Sequence, residues 1–204
     1  MTQNRKIAIL ISGRGSNMLA LMDAIESGRL DAQITVVISN CPGNQGIELA
    51  KSRGYTSVIM PSQGISRQQH EQLLIAELKW HNPALICLAG YMRLLSPEFI
   101  QTFPQQILNI HPSLLPAFPG LDVQQQALDY GVKYSGCTVH FVDEKCDSGA
   151  IIAQTVVPIL DQDTAKTLAD RILVEEHKLY ARSIQFILNK NWEIVGRRVL
   201  ATKN

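Results

Sequence analysis

Short β-branched runs alternate with helical stretches through the first half of this chain, and no other feature constrains its fold as strongly. Lys6–Ser12 (KIAILIS) is apolar at nearly every position, as a strand of a parallel sheet covered on both faces should be. It breaks at Gly13-Arg14-Gly15-Ser16-Asn17, and Met18–Ile25 then reads as a helix closed by Gly28. The pattern repeats. Ile34–Ser39 is a second strand, Cys41–Gly46 a turn, Ile47–Arg53 a short helix ending at Gly54, and Ser57–Met60 a third strand. Ser66–Trp80 is amphipathic, Pro83 ends it, and Ala84–Gly90 (ALICLAG) is a fourth buried strand. Successive βαβ units of this length predict a parallel sheet with right-handed crossovers.

After residue 100 the character changes. Ile107–His111 is a strand that stops at Pro112, and Pro112, Pro116 and Pro119 stiffen the loop to Gly120. Asp122–Tyr130 is helical. Thr138–Val142 and Ala150–Ile159 read as two strands joined by an acidic turn, which predicts an antiparallel excursion. Thr164–Leu188 is a long helix, and Trp192–Leu200 adds a small ribbon. The expected fold is α/β and Rossmann-like, a mostly parallel twisted sheet flanked by helices, with the antiparallel part in the C-terminal half. One domain is expected, with a mononucleotide-binding half over about residues 1–100 and a reaction-carrying half over about 101–204.

Composition removes several classes of function. A formal net charge of +1 lacks the electrostatic footprint of a nucleic-acid or membrane-surface binder. Apolar stretches reach about ten residues, too short for a bilayer, and the polar start Met1–Lys6 is unlike a signal peptide. Cys41, Cys87, Cys137 and Cys146 show no CxxC spacing, so free thiols in a reducing cytoplasm are expected. Cys137, His140, Cys146 and Asp147 match no tetrahedral zinc spacing, and no metal is expected.

Four groups could carry chemistry. Gly13–Asn17 lies between a strand and a helix, where backbone N–H groups and the helix dipole favour an anion. It has neither a GK[ST] ending nor GxGxxG spacing, so a single phosphate at Gly15, Ser16 and Asn17 fits better than a dinucleotide. The alternative is a tight turn with Ser16 or Asn17 as helix N-cap. Asn109 and His111 share one face of a strand end, where an amide and an imidazole could bind an oxyanion and shuttle a proton, or merely close the strand. Within Asp143–Gly149, Asp147 could sit beside His111 and favour its imidazolium, or belong to a solvated turn. Glu176 falls on the apolar stripe of Leu168, Ile172, Leu179 and Ile187. It either reaches solvent or an arginine, or accepts from substrate hydroxyls.

In order and spacing, IAILISGRGSN (7–17), LAGYMRLLSP (88–97), ILNIHPSLLPAFPG (107–120), GCTVHFVDEKCDSG (136–149) and EEHKLY (175–180) resemble the phosphoribosylglycinamide formyltransferase family. The resemblance runs from about Lys6 to Phe186. It implies a folate-dependent enzyme that moves the formyl group of 10-formyltetrahydrofolate, as cosubstrate, to glycinamide ribonucleotide. It also implies a catalytic set of Asn109, His111 and Asp147, a phosphate loop of Gly15, Ser16 and Asn17, and a ribose contact at Glu176. Arg67, Met92, Arg93, Leu94, Leu95, Asn109, His140, Asp143, Glu144 and Asp147 match its formyl-folate site. Arg14 stands where that family usually has Asn, and Cys146-Asp147-Ser148-Gly149 where Leu-Asp-Gly-Gly is usual.

The resemblance further implies small-molecule substrates, a cytoplasmic monomer or homodimer, and neither nucleic acid nor membrane as partner. Methionyl-tRNA formyltransferases share the core but would be expected to add a basic C-terminal domain after it. Formyltetrahydrofolate deformylases use water as acceptor and would be expected to carry an N-terminal regulatory domain. A non-catalytic mononucleotide-binding module is the remaining alternative.

Overall fold

The computed structural model describes residues 4–189 and 191–202. It divides into two compact units, residues 1–108 and 109–204, with the division falling inside a strand, β5 (Ile107–His111).

The first unit holds β1 (Lys6–Ile11), α1 (Ser16–Glu26), β2 (Gln33–Ser39), α2 (Gln45–Ser52), β3 (Ser57–Ile59), α3 (Arg67–His81), β4 (Leu85–Leu88) and α4 (Pro97–Thr102). Its strands run in the order β3-β2-β1-β4, and every pairing is parallel. Ile7 through Ile11 are fully buried, which is why β1 shows no polar alternation. Local chemistry sets the helix ends. Asn44 caps α2 by accepting from the Ile47 N–H, and Ser66 and Gln69 form a reciprocal capping box at α3. Asn82 closes α3 in a left-handed conformation before Pro83. One helix falls outside the periodicity reading. α4 has six residues, too few for a periodic signal, and starts from Ser96 accepting the Phe99 N–H with Pro97 in the first turn.

The second unit holds α5 (Val123–Asp129), β6 (Tyr134–Phe141), β7 (Ile151–Pro158), α6 (Ala165–Asn189), β8 (Trp192–Val195) and β9 (Arg198–Ala201). Its strand order is β6-β7-β9-β8. The β6–β7 and β8–β9 pairs are antiparallel, and β7 meets β9 in parallel at Ile151 and Arg198. The expected antiparallel excursion and terminal ribbon are therefore both present. β6 begins at Tyr134 rather than Thr138, and Gly136, a residue type depleted in strands, lies inside it opposite Val156. A register shift between Val139 and His140 alters the pairing where His140 sits. Leu168, Ile172, Leu179 and Ile187 of α6 are buried, and each contributes roughly 1.5–3 kcal/mol of burial. No helix among the described residues is long and apolar enough to cross a membrane.

Candidate active site

In the second unit, β5 ends at His111, and the proline-rich turn after it folds back to hold the imidazole. Ser113, fully buried, donates to the carbonyls of Ala117 (2.7 Å) and Phe118 (3.0 Å). His111 is 5% exposed, and its Nε2 lies 2.9 Å from the Phe118 carbonyl. A carbonyl only accepts, so Nε2 carries the hydrogen and Nδ1 is the nitrogen left to act. Nδ1 faces Asp147 Oδ2 at 3.5 Å, longer than a formed hydrogen bond. Catalytic contacts of this length commonly tighten when substrate binds.

Asp147 is the centre of the cluster. Its Oδ2 accepts from the Gly120 N–H at 2.9 Å and from the Cys146 thiol at 3.3 Å, and its Oδ1 lies 3.6 Å from His140 Nε2. Its φ of 50° is left-handed, a conformation in which Asp and Asn are enriched. Burial is the largest influence on its ionisation and opposes charge. Hydrogen bonding from His140 and Gly120, the charge of His111 and the Cys146 thiol together outweigh it. The carboxyl is held well below the usual carboxylate range.

His140, 1% exposed on β6, stands between two partners. Its Nδ1 donates to the Phe141 carbonyl (2.8 Å), and its Nε2 lies 3.3 Å from Asn109 Nδ2. As the neutral Nδ1–H tautomer it accepts from the Asn109 amide; as imidazolium it would instead donate to Asp147. Asn109, His111, His140 and Asp147 thus form one polar cluster on the second unit. Sequence places Asn109 and His111 side by side and offers Asp147 as the acid for His111 without showing that the two are close. The structure supplies the proximity, 3.5 Å from Asp147 Oδ2 to His111 Nδ1.

Two further acids lie in the same turn as Asp147. Asp143 accepts from the Ser148 hydroxyl (2.6 Å) and the Lys145 N–H (3.3 Å), and Glu144 is exposed. Glu176 is 7% exposed on α6, in line with the apolar stripe. Burial first, and then the charges of Glu176 and Glu175, push the Cys137 thiol up to about 12. Burial and the bond to Asp147 also raise the Cys146 thiol, so neither cysteine is an activated thiolate. Among the described residues, no three His, Cys, Asp or Glu side chains gather as metal ligands.

The first unit carries the remaining candidates on loops at the C-terminal ends of its strands, where open α/β sheets bind ligands. α1 begins at Ser16, and its N-cap is Gly15 in a left-handed conformation (φ 73°), not Ser16 or Asn17 as the residue types suggested. No side chain caps this helix, and an N-terminus with backbone amides not taken by a cap is the arrangement that receives anions. Loop 13–15 passes directly over Gly46, where a Cβ would lie 2.7 Å from the Gly13 carbonyl. The first turn of α2 supplies this glycine, and nothing in the sequence ties it to that loop. Met92 and Leu94 are 69% and 67% exposed, an apolar pair without cover, and Arg93 reaches the Ser62 carbonyl at 3.5 Å. Leu95 lies in the same loop. Its side chain is buried, unlike those of Met92 and Leu94. Arg67, at the exposed start of α3, pairs with buried Glu71 at 3.1 Å, and Glu71 also accepts the Ser96 N–H at 2.9 Å.

Residues 5–184 match the model of the family described as formyl transferase. The chain is 40% identical over 188 residues to phosphoribosylglycinamide formyltransferase of Bacillus subtilis, covering 92% of this chain and 96% of the relative. It is 46% identical over 193 residues to the trifunctional purine biosynthetic protein adenosine-3 of Drosophila melanogaster, covering 93% of this chain but only 14% of that longer protein. Among solved structures, glycinamide ribonucleotide transformylase 1 from Symbiobacterium toebii superposes with a TM-score of 0.95 at 43% identity, covering 100% of this chain and 96% of that one.

Proposed function

The chain belongs to the formyl transferase family, and from that premise we propose that it transfers the formyl group of 10-formyltetrahydrofolate to the amine of 5-phosphoribosylglycinamide, a step of purine biosynthesis. One observation carries the mechanistic reading. A carboxylate held ionised in a mostly buried setting, Asp147, lies against the one His111 nitrogen not engaged by backbone.

The substrate amine attacks the formyl carbon, a C–N bond forms, and the formyl oxygen becomes an oxyanion. The Asn109 amide and His111 Nδ1–H are donors of the type that stabilise such an oxygen, each worth about 2.7–4 kcal/mol of barrier in comparable sites. The bond from the formyl carbon to folate N10 then breaks, and N10 takes a proton that the amine has lost. Asp147 orients His111, supports its charged form and can pass that proton through water. In this reading Gly15, Ser16 and Asn17 hold the phosphate at the uncapped start of α1, and Glu176 accepts from the ribose hydroxyls. Met92 and Leu94 offer apolar surface to the pterin. Arg67 and Arg93 supply cations on the folate side, and Asp143, Glu144 and His140 line it. No metal enters the reaction.

The family match spans both units without interruption, which supports reading them as one catalytic domain. Four free cysteines agree with a cytoplasmic enzyme, a monomer or homodimer to be distinguished by sedimentation. The deciding experiment offers purified protein 10-formyltetrahydrofolate with glycinamide ribonucleotide and with water alone. Formylated ribonucleotide is expected. Formate released equally fast with and without ribonucleotide would overturn the reading in favour of hydrolysis.

A further inference from the structure

A chain of side-chain hydrogen bonds links the loops that follow all four parallel strands of the first unit, and the mechanism above uses none of it. Ser12 follows β1, Asn40 follows β2, Ser62 lies just after β3, and Gly90–Met92 follows β4. The Ser12 hydroxyl donates to Asn40 Oδ1 at 2.6 Å and accepts from the Met92 N–H at 2.8 Å. The Ser12 N–H donates to the Gly90 carbonyl at 3.0 Å. Asn40, itself buried, passes the link on by donating from Nδ2 to the Ser62 hydroxyl at 3.1 Å, while the Ser62 N–H donates to the Asn40 carbonyl at 3.2 Å.

The chemistry of this junction is specific to a hydroxyl. One oxygen acts as donor to an amide oxygen and as acceptor from a backbone N–H, which neither an alkyl group nor a carboxylate can do. Residues 89–96 lie in no helix or strand, so bonds of this kind hold their backbone. The bond at Met92 holds the start of the loop that exposes Met92 and Leu94. Ser12 also sits one residue before the Gly13–Asn17 loop. A single side chain is therefore bonded at the root of both loops.

We propose that Ser12 is a positioning residue that sets the loop for the formyl donor and the loop for the ribonucleotide phosphate together. This rests on the formyl-transfer reading of the two loops. Ser12 touches no reacting atom, so its loss weakens binding of both substrates in parallel and leaves the chemical step nearly intact. A residue with a purely structural role would lower the amount of folded enzyme without raising both KM values in step. A residue of the phosphate loop alone would raise only one.

The test is Ser12→Ala with Ser12→Thr as the conservative variant, read by steady-state kinetics and by calorimetric binding of each substrate separately. Ser12→Ala strands the Asn40 oxygen and the Met92 N–H, and a rise of roughly tenfold in each KM is expected, with kcat within about threefold. Ser12→Thr keeps the donor and acceptor and restores both KM values. Should Ser12→Ala fail to fold, Ser12→Cys carries the same expectation, because a thiol is of similar size but a weak partner on both counts. Unchanged KM values overturn the proposal, as does a fall in kcat with KM unaltered. Wild-type protein that binds neither substrate overturns the formyl-transfer reading, and the proposal with it. Wild type that binds both, beside a Ser12→Ala variant that binds both equally well, overturns the proposal alone.

Discussion

Replacing Asp147 with asparagine isolates what its charge contributes. Asparagine keeps the shape, tolerates the left-handed φ of 50°, and retains an oxygen for the Gly120 N–H. Alanine would add backbone strain and leave that N–H without its partner, so it tests less cleanly. The variant loses one negative charge 3.5 Å from His111 Nδ1 and 3.6 Å from His140 Nε2. At the effective dielectric of about 20 that suits such sites, a full charge pair at that separation is worth about 5 kcal/mol. That is a ceiling of between three and four decades in rate if His111 becomes fully charged in the transition state. The asparagine dipole and solvent recover part of it. The expected result is a kcat lower by roughly 10²–10³-fold, with each KM within about threefold, since the lost interaction strengthens only as charge develops. The assay follows consumption of 10-formyltetrahydrofolate at saturating ribonucleotide, with thermal melts to show that the variant is folded. A folded Asp147→Asn enzyme with kcat within about fivefold of wild type would refute the mechanism, because no charge-dependent role for Asp147 could be that small.

Further outcomes follow from the same geometry. Gly15→Val places a branched side chain at φ 73°, where a Cβ already meets the Met18 side chain at 3.0 Å. It should raise KM for the ribonucleotide far more than for the folate, and equal rises would point to a misfolded turn. Glu176→Ala should weaken ribonucleotide use while calorimetry finds folate binding nearly unchanged, because a site built for hydroxyls leaves polar groups unpaired without them. Loss of folate binding in that variant would remove Glu176 from the ribose. The lowered ionisation of Asp147 also fixes a pH dependence of stability. A carboxyl depressed in the folded state stabilises fully above its unfolded value, and that stabilisation is lost as pH falls through the folded one. The melting difference between wild type and Asp147→Asn should therefore hold steady from neutral pH to about pH 4 and shrink below it. A difference that grows on acidification would contradict the assignment.

Much of this protein is legible locally. β1, β2 and β4 announce themselves through short, mostly apolar runs, and α6 through a stripe in which even Glu176 falls where periodicity puts it. Asn109 and His111 are paired by strand geometry alone. Other features escape local reading for definite reasons. α4 is shorter than the window needed to see a period. The start of β6 hides behind Gly136, a residue type depleted in strands.

What the sequence by itself determined is therefore the elements, their alternation and hence the parallel first unit, since these follow from side-chain spacing within a few residues. The tertiary structure decided how close Asp147 comes to His111, and that His140 stands beside it as well. Asp147 lies 36 positions after His111, and the proline-rich turn with Ser113, the register shift at His140 and the left-handed backbone at Asp147 together bring them to 3.5 Å. It also decided that Gly15 and no side chain caps α1, and that one serine hydroxyl ties three loops together, with Asn40 extending the link to a fourth. Such contacts depend on strand register and loop closure over dozens of residues, and local propensity carries no record of either.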